Sequence, residues 1–184
     1  MVCMRASFSQ RECRRTEMFY YFAYGSCMCP VDLKRSLREN THSYVIGVAT
    51  LKSYRLGFYH YSVQRNCGAL DIIKSPTGEV YGVLYQLPDR LSPLLDSREG
   101  VHLNYYRRES IHVMCKGLEY SDVRTYVVVN KLLREMAPND WYFDVVLRGA
   151  IACGLPEAYC WQLFHHMRHL QQTCSLPSAL PKAS

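Results

Sequence analysis

No apolar run in this 184-residue chain approaches the roughly 18 residues that a membrane-crossing helix requires, so a spanning segment is not expected. A secretory leader is not expected either, because the first seventeen residues are basic and lack an apolar stretch of about seven or more. The cysteines lack the arrangement of a disulfide framework. They number nine, an odd count, scattered as Cys3, Cys13, Cys27, Cys29, Cys67, Cys115, Cys153, Cys160 and Cys174. Free thiols in a reducing compartment, the cytoplasm, are the better reading. Charge of one sign is also scarce. The net charge is +6, but Arg5, Arg11, Arg14 and Arg15 against Glu12 and Glu17 supply +2, which leaves +4 for the rest. That excess is too thinly spread to argue for nucleic acid as a partner. Internal repeats are absent, and the length suits one domain able to bury a core without disulfides or metal.

What is there reads as strands in the middle and helices at the end. Phe19–Tyr24 is aromatic and extended, Gly25-Ser26 is a cheap turn, and Pro30 opens a short helix over Val31–Arg38. His42–Leu51 and Tyr54–Tyr61 are rich in β-branched and aromatic residues. Gly68–Lys74 and Glu79–Leu87 flank Ser75-Pro76-Thr77-Gly78, which predicts a hairpin. Pro88–Arg98 predicts a short helix, broken or restarted at Pro93, that delivers Glu99-Gly100 into a loop. Tyr105–Cys115 and Val123–Asn130 are two more strands around a turn near Gly117. Helices over Tyr142–Cys153 and Pro156–Leu170 follow, separated by Gly154. The fold class expected is α+β, with a mainly antiparallel sheet closing into a small barrel flanked by helices. Met1–Glu17 reads as a disordered extension or an upstream start ahead of Met18, with a transit peptide as the rival. Gln171–Ser184, rich in Ser, Pro and Ala, reads as a disordered tail.

Two places could carry chemistry. A glycine and small residues between a strand and a helix leave backbone N–H groups converging on one concavity, which suits a carboxylate or an oxyanion. Tyr24-Gly25-Ser26-Cys27-Met28 is such a place, although the bare pattern also fits an ordinary tight turn. Glu99, within Leu94-Leu95-Asp96-Ser97-Arg98-Glu99-Gly100-Val101, is the second, and taken alone it reads as solvated surface beside an arginine.

Four ordered blocks resemble the gamma-glutamylcyclotransferase family. Tyr21-Phe22-Ala23-Tyr24-Gly25-Ser26 is similar to its substrate loop. Gly68-Ala69-Leu70 through Ser75-Pro76 and Glu79–Tyr85 are similar to its central hairpin. Leu95-Asp96 with Glu99-Gly100-Val101 resembles the segment of its catalytic glutamate. Arg148-Gly149-Ala150 with Gly154-Leu155-Pro156 and Tyr159 resembles its C-terminal helix pair. The likeness runs from about Met18 to Leu170 and carries four or more separate expectations. The resemblance implies release of 5-oxoproline from a gamma-glutamyl amino acid, peptide or amine, by attack of the substrate's own α-amino group on its γ-carbonyl. It implies Glu99 as general base and acid. It implies a substrate site at Tyr24, Gly25, Ser26, Cys27, Met28, Tyr106 and Tyr142, with no metal or cofactor. Strand alternation then sets Arg108 on the face of Tyr106. The partner implied is a small gamma-glutamyl molecule, neither nucleic acid nor membrane, with a homodimer as the assembly suggested by the family.

One departure stands out. Where the family often has asparagine after Tyr-Gly-Ser, this chain has Cys27. A thiol ahead of a helix could be a depressed-pKa nucleophile, which keeps a thiol hydrolase open, and a non-catalytic module binding a carboxylate metabolite is the other alternative. Cys27 and Cys29 lack a second close pair to complete a metal site, and His165 and His169, at i and i+4, read more simply as dipole complements near a helix C-terminus. The stretch Leu51–Asn66 is expected to form a variable loop around the leaving amine.

Overall fold

A computed structural model describes residues 17–173, so the extension, apart from Glu17, and the tail beyond Thr173 lie outside the described residues. The elements in chain order are β1 (Met18–Ala23), α1 (Pro30–Leu37), β2 (Val45–Ser62), β3 (Cys67–Pro88), α2 (Ser92–Arg98), β4 (Tyr106–Cys115), β5 (Leu118–Val128), α3 (Asp140–Ala152) and α4 (Glu157–Thr173).

The five strands close into a barrel in the order β1-β3-β2-β4-β5, and β5 returns to β1 through a parallel contact at Tyr21↔Arg124. The other pairings are antiparallel: β1 runs against β3 from Met18↔Pro88 to Ala23↔Val83, and β4 against β5 around a turn at Lys116-Gly117. The sheet is therefore mixed, in keeping with the mainly antiparallel barrel that the strand pattern predicts. Phe22, Leu51, Val80 and Leu84 share one face of this sheet and Tyr85, the next residue along β3, lies on the other, each 2% exposed or less. Burying a side chain of that size is worth about 2–3 kcal/mol.

The predicted hairpin around Ser75–Gly78 is not formed. β3 is one 22-residue strand that runs straight through these residues, and β2 likewise joins the two runs that had read as separate strands. Lys52 pairs with Glu79 and Tyr54 with Lys74, so Ser53 alone stands opposite Ser75–Gly78. The turn residues make a bulge, because both flanking runs have a better partner in β2 than in each other. The true hairpin is β2–β3, turning through Val63–Asn66. Most of the expected Leu51–Asn66 loop is therefore strand.

Pro93 starts α2 rather than breaking it, after a 3-10 turn at Asp89–Leu91. The Asn139 side chain accepts from Tyr142 N at 2.8 Å and so caps α3, which is worth about 1 kcal/mol. α4 continues to Thr173, three residues into the stretch that composition assigns to the tail. Gln171 holds that turn by donating to Pro138 O and Asp140 Oδ1 at 3.2 and 3.0 Å. No helix among the described residues is long and apolar enough to cross a membrane.

Candidate active site

A cavity of about 420 Å³ opens at the end of the barrel where β1 leaves it, walled by the turn after β1, the end of α2, the start of β4 and the β2–β3 turn. Tyr24, Gly25, Ser26, Cys27, Glu99, Tyr106 and Tyr142 all line it. Met28 does not. It is fully buried beneath, where its carbonyl accepts from Tyr85 Oη at 2.7 Å and from the Cys153 thiol at 3.2 Å. Arg108 also stays out of the cavity, donating instead to Asp96 and to Ser92 Oγ at 2.8 Å.

The turn after β1 is a short 3-10 helix, Ser26–Met28, closed by Met28 N donating to Gly25 O at 2.9 Å. Amides in the first turn of a helix have no partner within it. Those of Ser26 and Cys27 have no backbone partner among the described residues, and they belong to residues that line the cavity.

Glu99 caps the C-terminus of α2, where its N–H still bonds Leu95 O at 3.0 Å. Gly100 then turns the chain at φ +64, and any Cβ there would lie 2.7 Å from the Tyr105 ring, so both the backbone angle and the space require glycine. That reversal leaves the Glu99 side chain, 15% exposed, at the cavity wall. Asp96, one turn back on α2, is held by Arg108 and accepts from Tyr126 Oη at 2.7 Å, which fixes the helix on β4 and β5.

Cys27 joins the two halves of the site. Its thiol donates to Glu99 Oε1 at 3.1 Å, and its sulfur accepts from Arg98 Nε at 2.9 Å. The Arg98 guanidinium also reaches Ser26 Oγ at 3.3 Å, the Ser36 hydroxyl on α1, and Glu99 at 3.7 Å. Burial pushes the Cys27 thiol up to about 11, with Arg98 opposing and Glu99 adding to the rise. It is protonated at neutral pH and no histidine is among its hydrogen-bond partners, which disfavours the thiol hydrolase.

The three tyrosines differ in what they have left to offer. Tyr24 donates to Tyr126 O at 2.6 Å and Tyr106 to Leu70 O at 2.9 Å, so their protons are committed to the main chain. Tyr142 accepts from Leu70 N at 3.3 Å and keeps its own proton for a ligand. Burial raises its hydroxyl to about 12, so that proton stays on at neutral pH.

Sequence reasoning passed over Arg98, His60 and Arg65, which also line the cavity. The signal for Arg98 was its place directly before Glu99. His60 and Arg65 carried no signal, since His60 sits in a run that read as an ordinary strand and Arg65 in the stretch expected to be a variable loop. Two of the three histidines of α4 have other partners: His166 meets Glu135 at 3.1 Å and His165 stacks on Trp161. No cluster of three or more potential metal ligands occurs among the described residues.

Comparisons with known proteins bear on the family and the fold. The AIG2-like family profile matches residues 79–163. A Bacillus subtilis protein, YkqA, is 33% identical over 151 residues, covering 82% of this chain, and this chain spans only 53% of its length. Its crystal structure superposes with a TM-score of 0.76 at 31% identity, over 83% of this chain and 55% of that one. A solved gamma-glutamyl cyclotransferase superposes with a TM-score of 0.73 at 26% identity, over 91% of this chain and 94% of its own. The mouse gamma-glutamylcyclotransferase is 30% identical over 147 residues, which is 78% of this chain and 76% of the mouse protein. Being 30% identical to a gamma-glutamylcyclotransferase across three-quarters of that protein's length, the chain belongs to the gamma-glutamylcyclotransferase family.

Proposed function

We propose that the chain is an enzyme that releases 5-oxoproline from a gamma-glutamyl amino acid, peptide or amine. One observation carries this reading: Glu99 and the Gly25–Cys27 turn, 72 residues apart in sequence, meet across one cavity through the Cys27–Glu99 contact at 3.1 Å.

In this reading the substrate folds so that its α-amino nitrogen faces its own γ-carbonyl. Both reacting groups belong to one molecule, so holding that geometry supplies a rate factor equivalent to an effective molarity of about 10⁵ M or more. Glu99 takes a proton from the α-ammonium, and the freed amine attacks the γ-carbonyl carbon. The free amides at Ser26 and Cys27 receive the glutamyl carboxylate or the developing oxyanion, each oriented donor being worth about 3 kcal/mol in the transition state. The oxyanion collapses, the bond from carbonyl carbon to leaving nitrogen breaks as Glu99 gives its proton to that nitrogen, and the second proton of the attacking nitrogen passes by way of Glu99 to the departing amine, which leaves as an ammonium. Tyr142 donates its uncommitted proton to the bound substrate, and Tyr24 and Tyr106 wall the site. No protein nucleophile is consumed. The setting of this reading is the cytoplasm, with a small molecule as partner and a homodimer as the assembly.

The test is 5-oxoproline release from a panel of gamma-glutamyl compounds by wild type and Glu99→Gln. The variant keeps an oxygen for Cys27 to donate to, so it folds, and its turnover falls by about 10² to 10⁴. A folded wild type that turns over none of the panel, or a Glu99→Gln enzyme at full rate, overturns the proposal.

A further inference from the structure

Two arginines line the cavity, and only one is committed. Arg98 meets Ser26, Cys27, Ser36 and Glu99. The Arg65 guanidinium makes no ion pair or hydrogen bond among the described residues. Its Cζ lies 5.4 Å from the centre of the Tyr142 ring and 6.0 Å from that of Trp141, both on α3. Asp71, which acts on His60 together with Arg65, is already taken by Lys131. His60, on the same wall, has its pKa lowered first by burial and then by Arg65, so it is neutral at physiological pH and Arg65 is the cation there.

The backbone under Arg65 is held still. Its N–H donates to Ser62 O at 3.2 Å, and its carbonyl accepts from Asn139 Nδ2 at 2.8 Å. Asn139 is the same residue that caps α3, so the β2–β3 turn is braced against the helix that carries both rings. A planar cation held on aromatic faces with its N–H edge unpaired is prepared for a carboxylate, which it can meet with two parallel bonds.

Position narrows which carboxylate. The Tyr142 hydroxyl end lies at the glycine turn, since a Cβ on Gly25 would stand 3.6 Å from it, whereas Arg65 lies over the Tyr142 ring. One tyrosine thus spans from the glutamyl cradle to Arg65, a separation on the scale of a dipeptide, whose two residues extend over about 7 Å. Resting on the reading of the reaction given above, we propose that Arg65 binds the carboxylate of the leaving group, so that the enzyme acts on gamma-glutamyl amino acids and peptides in preference to gamma-glutamyl amines that lack one.

The test compares gamma-glutamyl-alanine with gamma-glutamyl-alanine amide, identical but for the terminal charge, in wild type, Arg65→Gln and Arg65→Lys. Wild type prefers the acid in kcat/KM by about 10- to 100-fold, the range of a charge-assisted pair. Arg65→Gln loses that preference, its kcat/KM for the acid falling to that for the amide, mainly through KM. Arg65→Lys, which keeps the charge and the apolar stem, retains part of the preference. Equal use of the two substrates by wild type overturns the proposal and leaves the reaction standing. So does an Arg65→Gln enzyme in which acid and amide fall together, because Arg65 would then serve the glutamyl half or the fold. If folded wild type turns over neither, the proposed reaction fails, and calorimetric binding of gamma-glutamyl-alanine decides the role of Arg65. Weaker binding by Arg65→Gln upholds a carboxylate site there, and equal binding refutes it.

Discussion

Replacing Cys27 by serine separates two descriptions of the site that look alike in sequence. If the thiol were a nucleophile it would need to ionise, and with a pKa of about 11 only about one molecule in 10⁴ does so at pH 7. Reaching the thiolate at that pH costs about 5 kcal/mol, which already removes most of any advantage sulfur has as a nucleophile. The geometry gives the residue different work. It accepts from Arg98 and donates to Glu99, at 2.9 and 3.1 Å, and a hydroxyl can do both. The shorter C–O bond lengthens each contact by a few tenths of an ångström, a loss on the order of 1 kcal/mol, so 5-oxoproline release by Cys27→Ser should remain within about tenfold of wild type. Cys27→Ala provides the contrast. It leaves Arg98 Nε without an acceptor in a largely buried place, which costs about 1–3 kcal/mol and loosens Glu99, so kcat should fall further than in the serine variant while KM moves little. Steady-state release of 5-oxoproline, with iodoacetamide labelling of wild type across pH, provides the assay. Complete loss of activity in a folded Cys27→Ser enzyme, or labelling with a midpoint well below pH 9, would refute the reasoning.

Two further outcomes follow from the same cavity. Because burial raises Cys27 from 9.0 to about 11 in the folded state, the unfolded chain releases that proton first as pH rises, and stability falls between those values. At pH 10 the loss from Cys27 is about 1.4 kcal/mol, Cys153 adds a smaller amount because it is less buried, and urea midpoints at pH 8 and 10 should differ less in Cys27→Ser than in wild type. A Cβ on Gly25 would find ordinary contacts at 3.6–3.8 Å with Tyr142 and Leu70, so Gly25→Ala should fold with its Tm nearly unchanged yet raise KM for any gamma-glutamyl substrate by about tenfold. An unchanged KM would mean that substrate does not approach this glycine.

The legible parts of the fold were those whose signals are local. Pro30 and Pro93 at helix starts, the Gly117 turn and the two C-terminal helices depend on a few adjacent residues, and they lie within a few positions of where the pattern puts them. Ser75-Pro76-Thr77-Gly78 failed for the opposite reason. Its residues are good turn formers, but which strand the flanking runs choose is settled some twenty residues away, by the register of β2. The site divides in the same way. Glu99 and the Gly25 turn were visible through blocks of residues that resemble a family, whereas nothing local marks Met28 as a floor residue or Arg65 as a wall. Those roles depend on α3 and the β2–β3 turn coming together through Asn139, a contact between residues 74 positions apart.

The long β2–β3 ribbon has a consequence for how such an enzyme could change. Up to Lys52 and from Glu79 onward, these strands are stitched into the barrel by β1 and β4, and they support the glutamyl cradle. Beyond the bulge, Tyr54–Ser62 and Cys67–Lys74 pair in the sheet only with each other, and their tip carries His60, Ser62 and Arg65 into the cavity. On the proposed reading, the closed sheet meets the reacting end of the substrate and a hairpin arm the departing end. Such an arm could be exchanged between enzymes to alter what is released, while the machinery that closes the ring stays in place.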